Sequence, residues 1–338
     1  MCSQNVGRGL MVCFIVILSL TLVGWVDVSS SQQASPITVS VATAVVESDA
    51  TGQGAIRFCE LLKQKTNGRL KVQFFPASQL GGDREMIEQV KLGTIDFFVG
   101  VTAPQTGFVP DMRMFDLPYL FADREKAAKI LDGDLGKKIL AKWEPQGVKG
   151  LAWSDNGYRQ MLTKNKAIRT PGDLVGMRIR IMEAPVYKAL FDALGASPVP
   201  VPWTELYTAL QTNLVDGCEI PIVAIGTTKL YKVAPYVSKT SHVLTTTNYL
   251  SSIRKFNSWP VDVQTAVIEA AKEAGVYARQ VVTQVEKKWY EDIAADGGKI
   301  TEADVDLFRN KTKVMAETYG KQINEELYKE IRKAQGGM

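Results

Sequence analysis

Arg159 and Arg180 are the two side chains of this sequence best placed to bind an anion. Each follows a glycine within a few positions and stands among apolar, strand-forming neighbours. A buried guanidinium without a partner is energetically costly, and no acidic residue has an obvious local position to pair with Arg180. We therefore predict that a ligand carboxylate pairs with Arg180, because the planar guanidinium can hold both of its oxygens.

A structural role is the alternative for each of these arginines. Arg180 could pair with an acid from another strand, and Arg159 could simply brace a hinge. Strand alternation puts Arg178 on the same side as Arg180, so periodicity does not choose between them. Arg178 stands at the strand start after Gly176, where we expect it to be solvated.

Most catalytic chemistry has no support in the sequence. The chain has one histidine, His242, which excludes multi-histidine metal sites and nearly excludes histidine-based triads. It has no G-x-S-x-G, Walker A or C-x-x-C motif. We expect His242 to be a structural residue at the start of a strand, and we expect no enzyme activity, no metal and no cofactor.

Length and composition indicate a soluble globular protein of two domains. The chain has 338 residues, of which 46% are hydrophobic and 22% charged, and a net charge of +4. This length is large for one hydrophobic core. Lys and Arg are not clustered with aromatic residues, so the sequence does not support nucleic-acid binding.

The N-terminus reads as a secretory signal peptide. Residues 10–26 are apolar and uncharged, follow Arg8, and precede a run of serines. We assign 1–34 to the signal peptide, with cleavage between Val28 and Ala34, and predict a periplasmic protein. An uncleaved N-terminal anchor is the alternative.

Two cysteines, Cys59 and Cys218, remain after that segment. An oxidising compartment permits a disulfide. Cys59 lies on the apolar face of a predicted helix, where a thiol behaves as a small hydrophobe. We therefore favour two free, buried cysteines.

The remainder alternates strands and helices in two units, which predicts an α/β fold with parallel sheets. The predicted strands are 37–43, 70–75, 95–101, 148–153, 178–181, 198–201 and 217–220. The predicted helices are 52–66, 84–92, 126–143 (one or two helices), 185–194, 204–212, 261–293 and 302–334. The stretch 261–293 is too long for one domain face, so we expect it to span both units; two helices broken near Gly275 are the alternative.

Several motifs in fixed order resemble the DctP-type solute receptors of TRAP (tripartite ATP-independent periplasmic) transporters. They are NGYR at 156–159, GMRIR at 176–180, the run 202–211, VDGCEIP at 215–221, and the segments 74–97 and 117–121. The resemblance covers about residues 38–330. It implies a two-lobed, class II-like periplasmic binding protein with a hinge cleft and a long helix spanning both lobes. Lobe one would comprise 36–156 and 246–285, and lobe two 157–245 and 286–338.

The resemblance also implies site residues. The carboxylate-binding arginine of the family matches Arg180, and a second family arginine matches Arg159. An aromatic residue that packs on the ligand matches Trp203, which precedes Thr204, a plausible helix N-cap; core packing of Trp203 is the alternative. Tyr207 and Leu210 look like the buried face of that helix.

Two positions depart from the family pattern. In the Glu219-Ile220-Pro221 turn, Ile220 stands where related receptors commonly have an Asn that bonds polar ligand groups. Val101 stands where the sialic-acid receptors have a glutamate. Both changes make the pocket more apolar, so we expect a smaller or more hydrophobic carboxylate rather than a polyhydroxylated sugar acid.

Other candidates rest on weaker signals. Glu47 belongs to a loop that matches the cleft lining of lobe one, and it could instead be solvated. Phe97 or Phe98 could form the cleft wall, with a core position as the alternative for Phe98. Asn248 lies on a strand that returns to lobe one.

Together these features predict a monomeric periplasmic receptor that binds a small organic acid. The resemblance alone implies that it delivers the acid to the small and large membrane subunits of a TRAP permease, with uptake driven by an ion gradient. A receptor of similar fold that serves another transporter or a sensor kinase is one alternative. A secreted enzyme on an α/β scaffold is the other.

Overall fold

A computed structural model describes residues 36–121 and 123–336; the predicted signal peptide lies outside the described residues. The strands are β1 Ile37–Ala42, β2 Leu70–Phe75, β3 Phe97–Val101, β4 Val148–Thr163, β5 Arg178–Ile181, β6 Ser197–Pro200, β7 Gly217–Pro221, β8 Tyr236–Lys239, β9 Leu244–Ser252 and β10 Lys299–Glu302. The helices are α1 Ala50–Lys65, α2 Asp83–Leu92, α3 Arg124–Asp132, α4 Asp134–Ala141, α5 Pro185–Ala193, α6 Leu206–Gln211, α7 Ile222–Thr228, α8 Ile253–Ser258, α9 Val261–Ala295 and α10 Val305–Ala334.

The strands follow one another in the order β2-β1-β3-β9-β4-β7-β5-β6, with β8 and β10 to the side. We call β1, β2, β3 and β9 the first half-sheet and β5, β6, β7 and β8 the second. Within the first, β1 runs parallel to β2 and β3; within the second, β5 runs parallel to β6 and β7. Helices between parallel strands make the connections that such strands require.

Strand β4 joins the two half-sheets. Its first part pairs with β9, and its last part, Arg159–Thr163, pairs with β7 and β8. The sequence predicted a strand that ends at Trp153, and this is wrong. The strand continues through an irregularity between Asp155 and Tyr158, where Gly157 has φ +80, a value that glycine adopts without steric cost.

Helix α9 is a single helix of 35 residues, so the alternative of two helices broken near Gly275 is wrong. A Cβ at Gly275 would lie 2.3 Å from the carbonyl oxygen of Trp153. This glycine therefore permits close packing of α9 on β4 rather than a break. Val267 packs in the core of the first half-sheet and Val282 in that of the second, so α9 spans both, as predicted.

The structure corrects three local predictions between the end of β6 and the end of β7. Thr204 lies inside a short 3-10 helix, Trp203–Glu205, and does not cap α6. Tyr207 is 49% exposed, so its predicted place on the buried face of the helix is wrong, whereas Leu210 is buried as predicted. The Glu219-Ile220-Pro221 segment is the end of strand β7 rather than a turn.

Both described cysteines are free thiols; Cys218 is buried, whereas Cys59 is half-buried. Within residues 36–121 and 123–336 no helix has the length and apolar character needed to cross a membrane. The same residues contain no cluster of three or more His, Cys, Asp or Glu side chains that could hold a metal ion.

Candidate ligand-binding site

A cavity of about 320 Å³ opens where the carboxyl ends of strands from both half-sheets meet. From the first half-sheet, Thr43 follows β1 and Val101 ends β3. From the second, Met182 follows β5, Val201 follows β6 and Pro221 ends β7. Ligands of open α/β sheets bind outside the carboxyl ends of the strands, so this cavity, called the cleft below, has the expected position.

Arg180 lies in the cleft and is 2% exposed. Its Nε donates a hydrogen bond to the carbonyl oxygen of Val201 at 2.8 Å. Within the described residues its two terminal nitrogens make no hydrogen bond, and the guanidinium forms no ion pair. Burial lowers the pKa of Arg180 from its ordinary value, and the charge of Arg159 lowers it further. The side chain is thus oriented through Nε and keeps the donors that would hold a carboxylate.

Arg159, which also lines the cleft, is paired. Its Nε and Nη2 donate to the two carboxylate oxygens of Glu219, with Nη2 to Oε1 at 2.8 Å. Its guanidinium carbon lies 5.3 Å from the ring centroid of Tyr187. Burial alone would lower the pKa of Arg159, but the adjacent Glu219 carboxylate outweighs burial and raises it. The sequence alternative of a bracing arginine fits this geometry.

Glu219 is shared with the only histidine in the sequence. His242 Nε2 lies 3.2 Å from Glu219 Oε2, and His242 Nδ1 lies 2.8 Å from Thr240 Oγ1. His242 is buried just before β9. Burial lowers its pKa, with Glu219 acting against that change, so the ring stays neutral at pH 7. His242 therefore orients Glu219 behind the cleft.

Asp116 brings a second carboxyl to this buried corner. It is 3% exposed, and its Oδ1 accepts a hydrogen bond from the Tyr187 hydroxyl at 3.4 Å. Burial raises the pKa of Asp116 to about 8, against the opposing effect of Arg159. The carboxyl is therefore largely protonated at neutral pH, which leaves Glu219 as the anion that balances Arg159.

The apolar part of the cleft wall includes two predicted residues, Trp203 and Ile220. Trp203 is half-buried and packs against two hydrophobic clusters, one holding Phe98 and the other holding Ile220. The sequence left two alternatives for Trp203, a place in the cleft lining and packing against the core. The side chain has both contacts. A rigid ring in this place offers a large apolar contact to a ligand.

The remaining predicted site residues do not line the cleft. Glu219 lies behind it, bonded to Arg159. Glu47 is exposed on its loop, and Phe98 is fully buried in the core. Asn248 exchanges two hydrogen bonds of 2.7 Å with the amide of Gln105, which also donates to the Val101 carbonyl, so Asn248 supports the wall from behind.

Sequence reasoning missed a polar wall of the cleft, formed by Thr43 after β1, Thr51 of α1, Asp83 of α2 and Asn156 of β4. Thr43 could have been found from its place directly after a parallel strand. Asp83 begins α2 and was not a candidate from the sequence. Thr51 and Asn156 reach the cleft through tertiary packing and carry no local signal.

The arrangement can bind an anion and enclose it. The described lining residues include carboxylates and threonines but no histidine, cysteine, lysine or serine. One oriented, unpaired guanidinium, an apolar wall and a facing polar wall are features of a binding site.

Comparison with known proteins assigns the chain to a family. Residues 41–325 match the family described as bacterial extracellular solute-binding protein, family 7 (DctP). The 2,3-diketo-L-gulonate-binding periplasmic protein YiaO of Escherichia coli is 33% identical over 285 residues, which are 84% of this chain and 85% of that protein.

Solved structures agree with that assignment. A TRAP periplasmic solute-binding protein from Polaromonas sp. JS666 bound to D-erythronate is 34% identical and has a TM-score of 0.85, covering 87% of this chain and 98% of that one. Another from Sulfurospirillum deleyianum, with bound succinate, is 30% identical and has a TM-score of 0.83, covering 88% and 99%. These matches confirm the predicted α/β periplasmic-binding-protein fold class.

Proposed function

The chain belongs to the bacterial extracellular solute-binding protein family 7, and we propose that it captures the carboxylate of a small organic acid on Arg180 and delivers the acid to a TRAP-type membrane permease. It is a solute receptor and not an enzyme. The observation that carries the proposal is the buried guanidinium of Arg180, which is oriented but unpaired.

The binding free energy must come from both Arg180 and the rest of the cleft. A hydrogen bond to a charged group contributes about 1.5–3 kcal/mol net, whereas micromolar binding needs about 8 kcal/mol. Enclosure by Trp203, Ile220 and the facing wall must supply the remainder. We propose that the lobes, 36–156 with 246–285 and 157–245 with 286–338, close on the ligand about β4.

Delivery and location complete the proposal. The relatives are periplasmic proteins of TRAP systems, which supports export of this chain by the predicted cleavable signal peptide. We propose that it acts as a monomer and docks in its closed form on the two membrane subunits. Proteoliposomes that hold those subunits should take up ligand only when this protein and an ion gradient are both supplied. Uptake that does not depend on this protein would favour the alternative, a receptor that serves another transporter or a sensor kinase.

The binding step is tested by calorimetry. A thermal-shift screen against organic acids selects a ligand, and titrations then compare the wild type with Arg180→Ala and with Arg178→Ala. Arg178 is the matched control, because it lies on the same strand but is exposed and paired with Asp216.

We expect Arg180→Ala to weaken binding by about a hundredfold or more, since it leaves a ligand carboxylate buried without its partner. Arg178→Ala should bind like the wild type. Wild-type affinity in Arg180→Ala would show that the carboxylate is held elsewhere.

A further inference from the structure

The wall of the cleft that faces Arg180 holds buried polar atoms without partners. Thr43 Oγ1, Thr51 Oγ1 and Asn156 Oδ1 make no hydrogen bond within residues 36–121 and 123–336. All three residues line the cleft, and each is at most 2% exposed. Buried polar groups are normally hydrogen-bonded, because leaving one unsatisfied costs about 1–3 kcal/mol. This wall is therefore suited to a ligand that carries hydroxyl groups.

Asp83 adds a carboxyl group to the same wall. It is the first residue of α2 and is half-buried, and a Cβ at Gly100 would lie 3.0 Å from its Oδ1. Its side chain makes no ion pair and no hydrogen bond with any other described residue. Burial raises the pKa of Asp83 to about 7, and the charge of Arg180 across the cleft acts against that rise. At pH 8 the group is thus mainly an anion that accepts hydrogen bonds.

The other charged groups of the cleft are already balanced or lie at its rim. Arg159 is neutralised by Glu219. Arg84 also lines the cleft, but its side chain is exposed at the rim, and its guanidinium carbon lies 5.8 Å from the ring centroid of Phe108.

The acids of the rim do not change this balance. Glu85 accepts a hydrogen bond from the Gly82 backbone at 2.9 Å, and Glu183 and Glu205 are exposed. Among the described lining residues, Arg180 and Asp83 are left as the unpaired interior charges. A ligand with one carboxylate on Arg180 would present its opposite end to Asp83.

We propose that the cleft selects hydroxylated monocarboxylates over dicarboxylates, and that Asp83 is the residue that discriminates between them. This rests on the proposed capture of one carboxylate by Arg180. A terminal hydroxyl donates to Asp83, whereas a second carboxylate in that place is repelled by it. The polar wall also revises the expectation, drawn from Ile220 and Val101, of a more hydrophobic acid.

The test uses ligand pairs that differ only in whether the end distant from the first carboxylate is CH₂OH or COO⁻. The pairs are 4-hydroxybutanoate and succinate, D-erythronate and meso-tartrate, and D-gluconate and D-glucarate. Calorimetry at pH 8 gives the affinity ratio within each pair for the wild type, Asp83→Asn, and the rim control Glu205→Gln. The wild type is measured again at pH 6, where the carboxyls of Asp83 and Asp116 are both more protonated than at pH 8, so this measurement supplements Asp83→Asn and does not replace it.

We expect the wild type at pH 8 to favour the hydroxyl-ended member by about tenfold or more in any pair that binds, since like charges at close range cost more than 1.4 kcal/mol. Asp83→Asn and the wild type at pH 6 should both show a smaller ratio, because each removes the negative charge. Glu205→Gln should leave the ratio unchanged.

Three results decide the matter. A ratio near one in the wild type, or a preference for the dicarboxylate, overturns the inference and leaves the proposed function standing as long as binding still requires Arg180. If neither Asp83→Asn nor pH 6 changes the ratio, another group determines the selectivity, and the inference is again overturned. Binding of none of the six acids overturns the inference and leaves the proposed function standing if the screen has found another acid whose binding requires Arg180; the lack of any acid that requires Arg180 contradicts the proposed function itself.

Discussion

Arg159 and Arg180 share one cleft and are equally buried, at 2% exposed each, yet the chain surrounds them differently. Strand β7 lies between β4, which carries Arg159, and β5, which carries Arg180. It supplies Glu219 to Arg159, whereas the residue in register with Arg180 is Cys218. Burial raises the pKa of the Cys218 thiol to about 12. Two adjacent residues of one strand thus give one arginine an anion and the other a neutral neighbour.

On the proposed function, this difference separates a structural role for Arg159 from a ligand-binding role for Arg180. A buried ion pair is costly to form and more costly to break from one side, so the corner of Arg159 and Glu219 holds β4 and β7 in place. An unpaired buried guanidinium costs stability with no internal compensation. Arg180 therefore fits a position retained for an external anion.

The largest effect on stability should follow from breaking the paired corner. Glu219→Gln removes the anion that balances Arg159 and should lower the free energy of unfolding by about 3–5 kcal/mol, as measured by urea denaturation without ligand. Asp216→Asn, which breaks the exposed pair with Arg178, is the control and should change little. Stability of Glu219→Gln close to that of the wild type would remove the contrast between the two arginines.

A smaller effect, on binding alone, should follow from Arg180→Lys. Lysine keeps the positive charge but cannot hold two carboxylate oxygens in the plane of a fork, so affinity should fall by about tenfold to a hundredfold. The unfolding free energy without ligand should not fall. Calorimetry measures the affinity and urea denaturation measures the unfolding free energy of the same preparation. Lost stability with retained affinity would mean that Arg180 has the structural role assigned to Arg159.

The smallest effect should follow from Tyr187→Phe. This change keeps the ring beside Arg159 and removes the hydroxyl that donates to Asp116, which should cost about 0.5–1.5 kcal/mol of stability. Affinity should stay within about threefold of the wild type. A larger loss of affinity would mean that the corner of Arg159 takes part in ligand contact.

The sequence predicted the contrast only in part. Arg180 could be chosen because it stands inside a short apolar strand with no local acid, and the absence of an ion pair between Arg180 and any described residue supports that choice. The pairing of Arg159 with Glu219 could not be predicted, because it depends on how the end of β4 lies beside β7. Both residues were seen as ligand candidates for the same reason, a charge in an apolar setting.

The fold could be predicted from the sequence more fully than the polar wall of the cleft. Strands and helices with clear periodicity, such as β2 and α9, were predicted within a few residues. Strand β4 was cut short because it is buried on both faces over most of its length, which hides alternation, and because Gly157 resembles a turn. Thr51 and Asn156 reach the cleft from a helix and from β4, a proximity that only the tertiary fold creates.

The most direct test of the central claim is a crystal structure of this protein with the organic acid that binds most tightly in the screen. The account predicts that both oxygens of one ligand carboxylate lie within about 3.2 Å of the Arg180 guanidinium, while Arg159 remains bonded to Glu219. A carboxylate bound to Arg159 with Glu219 displaced, or bound to neither arginine, would contradict it.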